Sequence, residues 1–210
     1  MSDSLRQSYD RVAETYAREI AGELAGKPFD RALLDRFAAC VRGAGPVWEL
    51  GCGPGHVAAY LREREVDITG VDLSFGMLAA GRPRFAGLPL LCADMHHLPA
   101  ASGALGGLVA MYSIIHTPAG RLPNLLRECL RVLRPGAPLL LAFHMGAHTL
   151  RLENWWETPV ELDFHFFDAR IVNESLLSAG FVLEQHHERQ PYAGVEHASR
   201  RAYILASRPG

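Results

Sequence analysis

The stretch Val47-Trp-Glu-Leu-Gly-Cys-Gly-Pro-Gly-His-Val57 contains the strongest structural signal in this chain. A short apolar run ends at Glu49, three glycines follow at alternate positions, and a helical segment continues over residues 57–64. A strand, a glycine turn and a helix in this order bring bare backbone against a ligand at the carboxyl end of a parallel strand. The spacing is G-x-G-x-G, whereas the dinucleotide fingerprint is G-x-G-x-x-G. An acidic residue beside such a turn disfavours a pyrophosphate and favours a ligand that carries positive charge.

The apolar runs that follow also end at informative residues. The run over 66–71 is followed by Asp72, and the run over 88–93 is followed by Asp94 and Met95. In dinucleotide-binding folds a carboxylate about 20 residues beyond the glycines accepts hydrogen bonds from ribose hydroxyls. Asp72 lies at that distance and is therefore a candidate ribose ligand.

Strands and helices alternate along the rest of the chain. The run over 104–112 is followed by a helical segment, residues 125–136, which ends in Leu-Arg-Pro-Gly before another apolar strand. This alternation predicts a doubly wound α/β fold with a mostly parallel sheet. We predict strands near residues 46–50, 67–72, 89–93, 105–112 and 137–143, helices near 5–20, 29–41 and 171–179, and two closing strands.

These elements, in this order, resemble the class I (Rossmann-like) S-adenosylmethionine-dependent methyltransferases of the small-molecule type. The resemblance implies one domain over residues 1–210, with a seven-stranded sheet whose last strand is antiparallel and lies between the fifth and sixth. It implies methyl transfer to an O, N, S or activated C atom of a small-molecule acceptor. The segment 111–118 lacks the motifs of the amino-group DNA, protein arginine and polyamine enzymes, and no Asp-Asn pair ends the fifth strand as in the metal-dependent catechol type.

The resemblance also implies which residues contact the cofactor. The glycines would let its amino-acid tail lie against backbone, Glu49 would orient that tail, and Asp72 would bind the ribose. Asp94 and the backbone of Met95 would bind the adenine edge. The implied cofactor-binding residues are Tyr16, Glu49, Gly51, Cys52, Gly53, Gly55, Asp72, Leu73, Asp94, Met95 and Met111.

Two segments outside the regular alternation are rich in aromatic residues. Residues 1–42 form an N-terminal helical cap in which Tyr9 and Tyr16 share a helical stripe, although a stripe of this kind also suits an ordinary core face. Residues 144–170 form an insert after the fifth strand, where ligands bind in open α/β sheets. We expect the two segments to meet over the cleft as a lid. The candidate substrate-binding residues are Tyr9, Trp155, Trp156, Phe164 and His165.

Two histidines are candidate general bases. His116 and His144 each follow a predicted strand on the ligand side, and the ordinary histidine pKa near 6.5 leaves a neutral base at pH 7. Either one could instead form only a hydrogen-bonding wall. His144 and His148 have metal-ligand spacing on a helix, but no carboxylate pattern accompanies them, so we expect no metal site.

The composition of the chain indicates which classes of partner to expect. The 210 residues carry 21 Lys and Arg against 23 Asp and Glu, and no dense basic run is present. We therefore expect no nucleic-acid partner and, without a long apolar run, no membrane partner. Four scattered cysteines and the lack of a signal-peptide pattern favour a cytoplasmic protein with free thiols. We expect it to be a monomer or homodimer.

Two other functions remain open from the sequence. The chain could bind S-adenosylmethionine as a non-catalytic partner or regulatory module, because binding alone would preserve the glycine turn. It could also perform another reaction that uses this cofactor on the same fold.

Overall fold

The computed structural model describes residues 3–210, and within them the fold is a three-layer α/β structure around one large sheet. The strand order is β3-β2-β1-β4-β5-β9-β8. The first five strands are parallel, and β9 pairs antiparallel with both β5 and β8. The predicted fold class and the antiparallel placement of the last strand are therefore confirmed. The strands of this sheet are β1 (Val47–Leu50), β2 (Ile68–Asp72), β3 (Leu90–Cys92), β4 (Gly107–Met111), β5 (Pro138–His144), β8 (Val182–Arg189) and β9 (Arg201–Ser207).

The helices lie on both faces of the sheet. One face packs against α5 and α6 through residues such as Leu126 and Leu176, and the other packs against α2 and α3 through Leu34 and Leu61. These two clusters bury most of the apolar side chains and hold the strand ends in a fixed relation. The helices are α1 (Asp3–Ile20), α2 (Pro28–Val41), α3 (His56–Arg62), α4 (Phe75–Gly81), α5 (Leu122–Val132) and α6 (Ala169–Ala179).

The insert after β5 forms a β-hairpin, which the sequence did not predict as strands. Its strands are β6 (Thr149–Trp155) and β7 (Thr158–His165), and they pair antiparallel with each other, apart from the large sheet. Because side chains alternate along a strand, the hairpin turns one apolar face inward and leaves the other face to solvent.

The N-terminal helix α1 packs on the inward face of this hairpin. Val12 and Ala17 of α1 form a small core with Val160 and Leu162 of β7 and Met77 of α4. Helix α1 and the hairpin thus lie together over the carboxyl ends of the parallel strands. No helix formed by residues 3–210 is both long and apolar enough to cross a membrane.

Candidate active site

A cavity of about 510 Å³ lies over the carboxyl ends of the strands, beneath α1 and the β6–β7 hairpin. This volume is within the usual range of about 300–1,000 Å³ for small-molecule sites. Most of the residues that the sequence singles out line the cavity: Tyr9, Tyr16, Glu49, Gly51, Cys52, Gly53, Asp72, Leu73, Met95, Met111, His116, His144, Trp155 and Phe164.

The glycine turn forms part of the cavity floor. Gly51 and Gly53 have φ angles of +67° and +56°, which side chains rarely adopt. A Cβ atom on Gly51 would overlap the side chain of Ser113, whereas one on Gly53 would approach only a ring carbon of Tyr16, at 3.6 Å. Both positions therefore favour glycine because of their φ angles, and Gly51 also has no space for a side chain.

Glu49 holds the beginning of α3. Its Oε2 accepts a hydrogen bond of 2.7 Å from the backbone N–H of Ala58, in the first turn of that helix, where a negative charge is favourable. The side chain is buried and lines the cavity. Burial, and secondarily the charge of Asp72, raise the pKa of Glu49 well above its ordinary value. A positively charged ligand group beside Glu49 would stabilise its ionised form.

Asp72 connects the second strand to the glycine turn. Its Oδ2 accepts from the N–H of Gly53 at 2.7 Å, and its Oδ1 accepts from the N–H of Ser74 at 2.8 Å. Burial, opposed by the two backbone donors and supported by the nearby charge of Asp10, leaves the pKa of Asp72 raised to about 6. Each carboxylate oxygen has a second lone pair, so Asp72 can still accept hydrogen bonds from a ligand hydroxyl.

These features fit S-adenosylmethionine. Its sulfonium and ammonium groups are positive, and the cavity wall carries the buried carboxylate of Glu49 and the half-buried carboxylate of Asp72. The floor at Gly51 has no room for a side chain. Lys27 also lines the wall, so an ammonium donor is present for the carboxylate of the tail.

Tyr9 and His116 form a hydrogen-bonded pair in the cavity. The Nδ1 of His116 lies 2.9 Å from the carbonyl oxygen of Asp163, which can only accept, so Nδ1 carries the proton. The Nε2 is then the acceptor, and the hydroxyl of Tyr9 donates to it at 2.6 Å. Burial lowers the pKa of His116 to about 4, so this histidine is neutral at pH 7. The structure thus defines both the tautomer and the charge of the candidate base.

His144 is also neutral and lies farther along the strand ends. Its Nδ1 is hydrogen bonded to the hydroxyl of Ser199 at 2.9 Å, and its ring stacks against Phe166. Burial lowers the pKa of His144 to about 3, and the charge of Arg201 contributes. Among residues 3–210 no three His, Cys, Asp or Glu side chains come together as metal ligands, and the absence of a metal requirement stays a prediction.

Aromatic side chains form the roof of the cavity. Trp155 makes edge contacts with Tyr9, Tyr16 and Phe164, with ring centroids 5.6–6.2 Å apart. These rings come from α1 and from both strands of the hairpin, so the roof exists only where the two segments meet.

Four of the predicted site residues do not reach the cavity wall. Gly55 precedes α3, and a Cβ atom there would lie 2.7 Å from Leu88. Asp94 accepts from the N–H of His96. Trp156 stacks on the outer side of Trp155 at the end of the hairpin. His165 follows Phe164 along β7, so its side chain lies on the opposite face, where it is hydrogen bonded to Thr149.

The sequence did not single out a charged group that lines one end of the cavity. Lys27, the single lysine of the chain, is 5% exposed and lies 2.7 Å from Glu23 and 3.7 Å from Glu196. Glu196 also pairs with Arg201 at 3.1 Å. The ring of Tyr112, whose φ of +55° is unusual for a non-glycine residue, lies 5.2 Å from the amine of Lys27. The positions of these residues along the chain gave no local signal that they would meet.

Comparisons with known proteins agree with this architecture. A family described as "Methyltransferase domain" matches residues 47–136. The chain is 32% identical over 195 residues to a malonyl-[acyl-carrier protein] O-methyltransferase of Laribacter hongkongensis, covering 84% of this chain and 63% of that protein. It is 31% identical over 141 residues to a demethylmenaquinone methyltransferase of Beutenbergia cavernae, covering 64% of this chain and 55% of the relative. The chain thus spans less than two thirds of the length of either relative.

Solved structures share the fold at lower sequence identity. The CcbJ methyltransferase of Streptomyces caelestis superposes with a TM-score of 0.75 at 19% identity, and each chain covers 100% of the other. The [4+2]-cyclase SpnF superposes with a TM-score of 0.65 at 20% identity, covering 96% of this chain and 97% of the cyclase. At these identities the likeness concerns the fold alone.

Proposed function

We propose that this chain, which carries a methyltransferase domain of the class I S-adenosylmethionine-dependent family, transfers the cofactor's methyl group to a small-molecule acceptor. The observation that carries the proposal is the cavity itself. Its floor combines bare glycine backbone with the carboxylates of Glu49 and Asp72, and its roof is aromatic. The first part suits a cationic cofactor, and the second suits a small acceptor that must be kept away from water.

The cofactor would lie along the strand ends. Its amino-acid tail would lie on Gly51 and Gly53 beside Glu49, and its ribose hydroxyls would donate to Asp72. Leu73 and Met95 would contact the adenine, with Asp94 near its edge. The sulfonium supplies an activated methyl group together with its leaving group, so the protein contributes mainly alignment and exclusion of water.

The acceptor would occupy the space between the glycine turn and the aromatic roof. Tyr9, Trp155 and Phe164 offer ring faces and edges, which suit a planar or apolar acceptor. The Nε2 of His116 would take the acceptor proton through the hydroxyl of Tyr9, which already donates to it. His144 is a second candidate for this role.

The strength of this base favours one kind of acceptor. Because burial lowers the pKa of His116 to about 4, the histidine can take a proton only from a group that ionises readily. An acidic hydroxyl meets this condition and an alcohol does not, while a carboxylic acid is already ionised at neutral pH and needs no base. The malonyl-[acyl-carrier protein] relative is named as an O-methyltransferase, which supports an oxygen acceptor here too.

Turnover tests the proposal. The purified protein is incubated with S-adenosylmethionine and a panel of carboxylic acids, phenols and amines, and S-adenosylhomocysteine is measured by mass spectrometry together with the methylated product. We expect product with at least one acidic oxygen acceptor, and loss of product in Asp72→Ala but not in the matched surface variant Asp35→Ala. Binding of the cofactor without turnover would favour a non-catalytic module, and conversion of an acceptor without methylation would favour another reaction on this fold.

The remaining expectations concern the whole molecule. We infer a single domain that acts as a monomer or homodimer in the cytoplasm. All four cysteines are free thiols, which supports a reducing compartment. Light scattering coupled to size exclusion would determine the oligomeric state.

A further inference from the structure

Three consecutive residues of α1 contact three separate parts of the site. Ser8 Oγ accepts from the backbone N–H of Glu161 on β7 at 2.9 Å, and the hydroxyl of Tyr9 donates to His116 at 2.6 Å. Asp10 Oδ1 accepts from the hydroxyl of Ser74 at 2.6 Å. Because successive helical residues point about 100° apart, one turn of α1 can reach all three. We call residues 8–10 the linking segment.

The Asp10 end of the linking segment joins α1 to the proposed ribose site. Ser74 lies between two carboxylates, since its N–H donates to Asp72 and its hydroxyl donates to Asp10. The N–H of Gly76 also donates to Asp10, at 2.9 Å. A Cβ atom on Gly76 would lie 2.9 Å from the Cα of Asp10, so α1 and α4 approach each other closely at this point. The position of α1 is therefore set directly against the loop that follows Asp72.

The other end of the linking segment holds the acceptor side. Ser8 fixes α1 to the backbone of β7, and Tyr9 fixes the hydrogen-bonding partner of His116. The carbonyl of Asp163, also on β7, holds the opposite nitrogen of the same histidine. A shift of α1 would therefore disturb the aromatic roof and the candidate base together.

We propose that the linking segment couples occupation of the cofactor site to assembly of the acceptor chamber, with Asp10 as its positioning residue. The inference rests on the proposed cofactor site. A ribose hydroxyl bound to Asp72 orders the Asp72–Ser74 loop, and Ser74 in that position offers its hydroxyl to Asp10. Helix α1 then sets Tyr9 against His116 and the hairpin over the chamber. The cofactor thereby favours the closed arrangement, because it binds better to the state in which this loop is ordered. Acceptor binding after the cofactor follows from this order.

Hydrogen exchange with S-adenosylhomocysteine as the probe tests the coupling. Each variant is saturated with S-adenosylhomocysteine at a concentration chosen from the dissociation constant that calorimetric titration gives for that variant. In the wild type we expect exchange to slow at the glycine turn and also in the hairpin, residues 149–165. In Asp10→Ala we expect the slowing in the hairpin to shrink by about tenfold, the size of one lost hydrogen bond to a charged group, while the turn still responds.

Two control variants separate coupling from general damage. Asp10→Asn keeps an oxygen that can accept from Ser74 and Gly76, so we expect it to restore the response of the hairpin. Glu14→Gln removes a charge from the same helix at an exposed pair with Arg84, 3.5 Å apart, and should behave as the wild type.

A variant at the other end keeps the inference testable if Asp10→Ala does not fold. Ser8→Ala leaves Asp10 in place, so α1 should still respond to the probe while the hairpin responds much less. A full hairpin response in both Asp10→Ala and Ser8→Ala, or none in a wild type that binds the probe, would overturn the coupling alone. A wild type that does not bind the probe would overturn the proposed function, and the coupling with it.

Discussion

The raised pKa of Asp72 predicts that cofactor affinity depends on pH. A rise from the ordinary value of 3.8 to about 6 corresponds to about 3 kcal/mol of unfavourable environment for the ionised carboxylate. Burial is the main cause, and the charge of Asp10 adds to it. A hydrogen bond from a ribose hydroxyl is stronger when Asp72 is ionised than when it is protonated, so protonation of Asp72 should weaken cofactor binding.

The direction and size of the effect follow from that pKa. Above about pH 7 the carboxylate is ionised and binding is tightest, and below pH 6 the ionised fraction falls about tenfold for each further pH unit. We therefore expect the dissociation constant for S-adenosylhomocysteine to rise about tenfold between pH 7 and pH 5. Calorimetric titrations at pH 5, 6 and 7 measure it directly.

Two variants test whether Asp72 causes the pH dependence of cofactor affinity. Asp72→Asn should weaken binding at pH 7 by about 1–3 kcal/mol and should reduce the pH dependence to the part that Glu49, whose pKa burial also raises, contributes. Asp35→Asn removes a carboxylate whose side chain is 50% exposed on the surface and should leave both unchanged. A wild-type dissociation constant that is flat from pH 5 to 7, or an equal slope in Asp72→Asn, would refute the role assigned to Asp72.

Other expected outcomes concern the turn, the roof and the chemistry. Gly51→Ala should abolish cofactor binding in calorimetry because its Cβ has no room, while Gly22→Ala, with open space around it, should bind normally. Tyr9→Phe removes the hydrogen bond to His116 and should lower turnover at least about tenfold with little change in the cofactor dissociation constant; equal turnover would show that the pair does not carry the proton. Deletion of residues 1–20 should cut turnover strongly while circular dichroism still reports a folded sheet. Chelation should leave turnover unchanged, and activity restored by one specific metal after chelation would contradict this.

The sequence was most informative where one short segment determines both local structure and ligand contact. The glycines of residues 51–55 need positive φ angles, and Asp72 ends an apolar strand, so each signal can be read without knowledge of distant parts of the chain. The antiparallel β9 lies between β5 and β8, where the family resemblance placed it.

Prediction failed where the fold depends on pairing between distant residues. The hairpin was missed because its aromatic residues obscure the alternation expected of strands, and a Trp pair occupies its turn region. Without a register, nothing in the sequence distinguished Phe164, which faces the cavity, from His165, which faces away. Similarly, Lys27 meets Glu196 only because the loop before β9 returns to the beginning of α2.

The single lysine has a practical consequence for chemistry on this protein. Every other cationic side chain that stays charged at neutral pH is an arginine, so Lys27 carries the only ε-amine in the sequence. That amine lies in the cavity wall, held by Glu23 and nearly closed off from solvent. Modification of an ε-amine can therefore occur only in the cavity, and the rate of that reaction would report whether a ligand occupies the cavity.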